Sequence, residues 1–193
     1  MINMSRLSEI LAFNKKFVEN KQYEQYLTTK YPNKKIVIVT CMDTRLVELL
    51  PKAMNLKNGD AKIIKNAGAL VTMPFGNIMR SIIVAIYQLS ADEVMIIGHH
   101  ECGMTGLNAM EIIGKMRDRG IKEEVLDTLS RSGIDLGQWL TGFENVRESV
   151  KKSVNIVKNH PLLPSNVAVH GLIIHPETGE LELVVDGYAA PSP

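Results

Sequence analysis

The chain has 193 residues, 45% of them hydrophobic and 22% charged, with a formal net charge of +1 at pH 7. That length suits one sizeable hydrophobic core, and that composition is ordinary for a soluble globular protein. With no basic block or acidic tail it offers little to nucleic acid or a membrane surface, and its longest apolar run, Ile82 to Tyr87, is far short of the roughly 18 residues of a membrane span.

In chain order, residues 4–20 are predicted to be helical, because Leu7, Ile10, Leu11, Phe17 and Val18 fall at helix-face spacing. A polar-aromatic stretch, QYEQYLTTKYP, follows and ends at Pro32. This N-terminal region is weakly apolar, so it reads as an arm that completes its burial elsewhere on the fold or on a second subunit. KKIVIVTC is a predicted strand whose continuous branched-aliphatic run suits a sheet covered on both faces. LVELLPKAMN is a helix with Pro51 disturbing it, AKIIKN a second strand, NIMRSIIVAIYQL a well-buried helix, and EVMIIG a third strand.

Residues 104–140 carry helical spacing at Met110, Ile112, Ile113 and Met116, then at Val125, Leu126 and Leu129. In TGFENVRESVKKSVNIVKN, Thr141 and Glu144 have capping-box spacing, and Phe143, Val146, Val150, Val154 and Val157 share one helix face. NVAVHGLIIHPETGELELVVDGY reads as two strands joined by a Pro-Glu-Thr-Gly turn. The expected architecture is one α/β domain over 1–193: a helical arm (1–33), then a core (34–193). In the core, helices flank a mostly parallel sheet with an added antiparallel strand.

In such a sheet, ligands bind beyond the carboxyl ends of the strands, where strand order reverses. Cys41 ends the first predicted strand, and His99, His100, Glu101 and Cys102 follow the third. If those strands are neighbours, two thiols and an imidazole converge, which is the donor set of a tetrahedral zinc site with one open position. His99 leaves two residues before Cys102 and His100 only one, so His99 closes the easier chelate. Other readings of these residues are a buried hydrophobic role for each cysteine, a structural histidine, or a redox-sensitive Cys41–Cys102 disulfide. Asp43 and Arg45 are either a surface ion pair or a carboxylate oriented and kept ionised by an arginine. Such a carboxylate could align a zinc-bound hydroxide, or swing onto the metal as a fourth ligand. Two cysteines with ten methionines suit a reducing cytoplasm, and MINMSRLSEI lacks the charged-then-apolar order of an export signal.

At these residues the sequence resembles the β-class carbonic anhydrases, which pair Cys-x-Asp-x-Arg after the first strand with His-x-x-Cys after the third. Here the motifs read CMDTR and HHEC, and KNAGALV and VHGLIIHPETGELELV extend the similarity from about residue 35 to 187. The resemblance implies an N-terminal arm reaching across a homodimer or a dimer of dimers. It also implies zinc held by Cys41, His99 and Cys102, and an orienting dyad of Asp43 and Arg45. The reaction implied is reversible hydration of carbon dioxide by zinc-bound hydroxide, with Ala67 and Gly68 among the small residues of the substrate wall. Lys65 stands where many members have arginine, Ala69 where many have glycine, and His100 where a small polar residue is common. His160, His170 and His175 are read as structural. The competing readings are a hydrolase of a related heterocumulene such as carbon disulfide, and a zinc-binding or regulatory protein without turnover.

Overall fold

The computed structural model describes residues 5–189. The chain divides into two compact units, with the boundary between Lys30 and Tyr31. In the first unit, helix α1 (Arg6–Glu19) starts at Ser5, whose hydroxyl accepts the Ser8 N–H at 3.2 Å. Met4, the first residue of the predicted helix, lies outside the described residues. α1 buries none of its residues, and Leu7, Ile10, Leu11, Phe13 and Val18 are each more than half exposed. Phe17 stacks on Tyr26 of the following single helical turn, with ring centroids 6.4 Å apart.

The second unit alternates strand and helix: β1 (Ile36–Cys41), α2 (Leu46–Ala53), β2 (Ala61–Asn66), α3 (Asn77–Tyr87) and β3 (Glu93–His99). Helices α4 (Ala109–Asp118), α5 (Glu123–Arg131), α6 (Leu136–Leu140) and α7 (Val146–Lys158) precede the hairpin of β4 (Ala168–Ile174) and β5 (Leu181–Val185). The sheet order is β2-β1-β3-β4-β5, parallel except for the β4–β5 pair. β1 is buried along its whole length because its alternate residues feed two cores. Val37 and Val39 join Met79 and Ile82 of α3 and Val150 and Val154 of α7, whereas Ile36 and Ile38 join Leu46 and Leu50 of α2.

Two glycines let α7 lie close on the sheet. A Cβ on Gly98 of β3 would sit 2.8 Å from Val150 Cγ2, and one on Gly171 of β4 would sit 2.8 Å from Val150 Cγ1. The start of α7 differs from the predicted capping box: Asn145 is the cap, its side-chain oxygen accepting the N–H groups of Arg147 and Glu148. Phe143 lies before the helix, because its N–H donates to the Met104 carbonyl and its own carbonyl accepts from Gly106. Those bonds form a short bridge to Thr105 that takes up the backbone groups a helix would need. No helix among the described residues is long and apolar enough to cross a membrane.

Candidate metal centre

β1 leads to β2 on one side of the sheet, and β3 lies on the other. Strand order therefore reverses between β1 and β3, and the loops beyond their carboxyl ends open onto one crevice. Cys41 is the last residue of β1, His99 is the last of β3, and Cys102 follows in the loop. The three side chains are buried, and their ligand atoms lie within 4.8 Å of one another.

The geometry fits a tetrahedral metal ion. The Cys41 and Cys102 sulfurs are 3.9 Å apart, and both thiols are free. Two sulfurs bound to zinc at about 2.3 Å in a tetrahedron would lie about 3.8 Å apart, whereas a disulfide would need about 2.05 Å. His99 Nδ1 is 2.7 Å from the His100 carbonyl, which places its proton there and leaves Nε2 with the lone pair. That Nε2 is buried and makes no hydrogen bond. An orphaned imidazole nitrogen among two sulfurs is a donor set in want of a cation. The His100 side chain turns away, its Nε2 4.0 Å from Glu182 Oε2 on β5.

Charge at the centre is shared unevenly. A hydrogen bond from Cys102, helped by the Gly68 N–H against the effect of burial, draws the Cys41 thiol below its ordinary value. The same contact and burial push the Cys102 thiol up, so the shared proton stays there. Burial opposes a charge on His99, but the Cys41 sulfur, the His100 carbonyl and Asp43 outweigh it and raise its pKa. A divalent cation would take the place of these protons.

Asp43 and Arg45 stand next to the three ligand atoms. Arg45 Nε donates to Asp43 Oδ1 at 3.1 Å and Nη2 to Oδ2 at 2.9 Å, and the Arg45 backbone N–H donates to Oδ1 at 2.9 Å. The fork holds the Asp43 carboxyl at about 2, well below its ordinary value. Asp43 Oδ2 lies 3.8 Å from His99 Nε2, so the carboxylate overlooks the centre without joining the three-atom cluster. Arg45 also reaches the opposite loop, where Nη1 donates to Glu101 Oε2 and Nη2 to the Glu101 carbonyl. Glu101 is not among the predicted site residues; its place between the histidine and the cysteine of the His-x-x-Cys motif is the available signal.

A crevice of about 600 Å³ opens here, lined by Cys41, Cys102, Asp43 and Arg45 and by the apolar Ala67, Met104 and Leu107. Gly68 sits behind Cys41 and donates its N–H to the sulfur at 3.4 Å. Its φ of +77° favours glycine, and a Cβ there would press on Phe143 at 3.0 Å and Met104 at 3.1 Å. The other histidines lie elsewhere. His160 Nδ1 accepts the Leu162 N–H, and His170 sits between Glu93, 2.8 Å from Nε2, and the Gly187 N–H.

Known proteins resemble this chain in sequence and fold. The family model described as carbonic anhydrase matches residues 36–181. The chain is 63% identical to "Putative carbonic anhydrase YvdA" of Bacillus subtilis (strain 168), over 97% of this chain and 95% of the relative. It is 31% identical to a carbon disulfide hydrolase of Acidithiobacillus thiooxidans, over 77% of this chain and 76% of that one. Its fold superposes on a β-carbonic anhydrase of Trichomonas vaginalis with a TM-score of 0.86 and 37% identity, covering 96% of this chain and all of the other. With the motif residues gathered at the switch point and the match spanning the sheet from β1 to the start of β5, the chain belongs to the β-carbonic anhydrase family.

Proposed function

We propose that the protein is a zinc enzyme that interconverts carbon dioxide and bicarbonate. The observation that carries this reading is the buried, unpartnered Nε2 of His99 among the sulfurs of Cys41 and Cys102. Zinc held by these three residues would supply a Lewis acid that makes water a nucleophile near neutral pH.

The chain's own residues do the rest. Asp43 stays ionised because Arg45 grips both of its oxygens, so it can accept a hydrogen bond from the attacking water and set its direction. The same grip opposes a swing of Asp43 onto the metal. Two thiolates cancel the formal charge of a zinc ion, which makes this outer support more important than in a site of neutral ligands. Ala67, Met104 and Leu107 offer an apolar wall against which a small uncharged molecule packs. Gly68 supports the wall from behind by fixing the Cys41 sulfur. Hydration converts carbon dioxide and water to bicarbonate and a proton, and the anion leaves the apolar wall for solvent.

The protein works as a homodimer or dimer of dimers, a reading supported by the exposed apolar side chains of α1. Its compartment is the cytoplasm, where thiols stay reduced and ready for metal. Stopped-flow hydration of carbon dioxide by the zinc-loaded protein tests the activity, and catalysis well above background is expected. Zinc binding with sulfide release from carbon disulfide, and no carbon dioxide turnover, would instead identify a hydrolase. Zinc binding with neither reaction would identify a binding protein.

A further inference from the structure

We propose that Glu101 is a positioning residue that holds the second edge of the Arg45 guanidinium, so that the first edge meets Asp43 in one orientation. The kinetic part of this inference rests on the carbon dioxide reading above. Arg45 uses two edges of its planar fork. Nε and Nη2 face Asp43 at 3.1 and 2.9 Å; Nη1 and Nη2 face the Glu101 carboxylate and carbonyl at 3.1 and 3.2 Å. A guanidinium held on the Asp43 edge alone could swivel and share its donors unevenly between the two carboxylate oxygens. Held on both edges, it swivels less.

The backbone of Glu101 supports the same conclusion. Its φ is +55°, a left-handed conformation uncommon for glutamate, and one that persists where the surroundings over-determine it. Here both the carbonyl and the side chain of the residue engage Arg45. Glu101 lies between His99 and Cys102, whereas Asp43 and Arg45 follow Cys41, so Arg45 also ties together the two loops that carry the ligand atoms. The Glu101 side chain is 61% exposed and that of Arg45 39%, so the ion pair itself is weak in solvent. Its effect is on the direction of the guanidinium.

The test uses the zinc-loaded 193-residue chain and four variants: Glu101→Ala, Glu101→Gln, Arg45→Ala and the double variant Glu101→Ala with Arg45→Ala. In ¹⁵N–¹H spectra, the Arg45 Nε–H is expected to be protected from exchange in the wild type and in Glu101→Gln, which keeps an oxygen acceptor. In Glu101→Ala its exchange should speed up about fivefold, the scale of one exposed ion pair. Glu101→Ala should lower kcat by a similar factor while KM and zinc content hold, and Glu101→Gln should restore kcat. In the Arg45→Ala background, Glu101→Ala should have no further effect. Unaltered Nε–H exchange in Glu101→Ala overturns the proposal, as does an equal loss of kcat with and without Arg45. If the wild type does not hydrate carbon dioxide, the functional reading fails while the exchange measurement still decides the role of Glu101.

Discussion

Cys41 and Cys102 hold their sulfur atoms 3.9 Å apart, too far for a disulfide and near the edge length of a zinc tetrahedron. The spacing is a property of the sheet. Cys41 ends β1, and Cys102 follows, after two intervening residues, the end of β3, a strand that runs parallel to β1 in fixed register.

Zinc should therefore bind at one ion per chain and stabilise the fold. Free zinc at 1,000 times its dissociation constant adds about 4 kcal/mol to a protein that binds it only when folded. Chelation is expected to lower Tm, and restored zinc to recover it, as read by calorimetry with metal analysis. Cys41→Ser, Cys102→Ser and His99→Ala should each weaken zinc binding by more than about tenfold in chelator competition. Normal occupancy in all three variants would remove the site.

Asp43→Asn and Arg45→Ala act on orientation and should leave the ligands in place. Each is expected to lower kcat by about a hundredfold, the cost of a misdirected reacting group, with zinc content unchanged. Stopped-flow rates paired with metal analysis on the same samples check both halves.

The close seat of α7 on the sheet makes a separate prediction about stability. Gly98→Ala would drive a Cβ to within 2.8 Å of Val150 Cγ2. It should cost about 1–3 kcal/mol, the range for overpacking a filled core. Adding Val150→Ala removes the nearer of the two clashing methyl groups, the other being Val146 Cγ2 at 2.9 Å, so the double variant should be less destabilised than the two single losses combined. Urea midpoints for the four proteins give the answer.

The apolar side chains of α1 predict an assembly that depends on them. Leu11 and Phe13 are 58% and 67% exposed. Leu11→Glu combined with Phe13→Glu is expected to raise the dimer dissociation constant about tenfold or more. Sedimentation velocity over a concentration series reads this directly, and an unshifted profile would assign the helix another role.

Much of this protein is legible along the chain. Strand β2 matches its predicted span, and β1, β3 and α3 differ from theirs by one or two residues at an end. Apolar periodicity and the branched-aliphatic run at Ile36–Val39 depend on neighbours in sequence, and both survive folding unchanged. The α7 start differs from its predicted one because Thr141 and Glu144 carry a valid local signal that the bridge between Phe143 and Thr105 overrides.

The donor types were likewise set by the sequence alone: two thiols, an imidazole, and a carboxylate beside an arginine. Tertiary structure decided how they are used. The neighbouring of β1 and β3 brings residues 41 and 102 together. The His100 carbonyl leaves His99 Nε2 as the free nitrogen. Arg45 meets both oxygens of Asp43 and reaches across to Glu101 on the other loop. Each of these depends on distances between loops far apart in the chain, which register and packing fix and local chemistry does not.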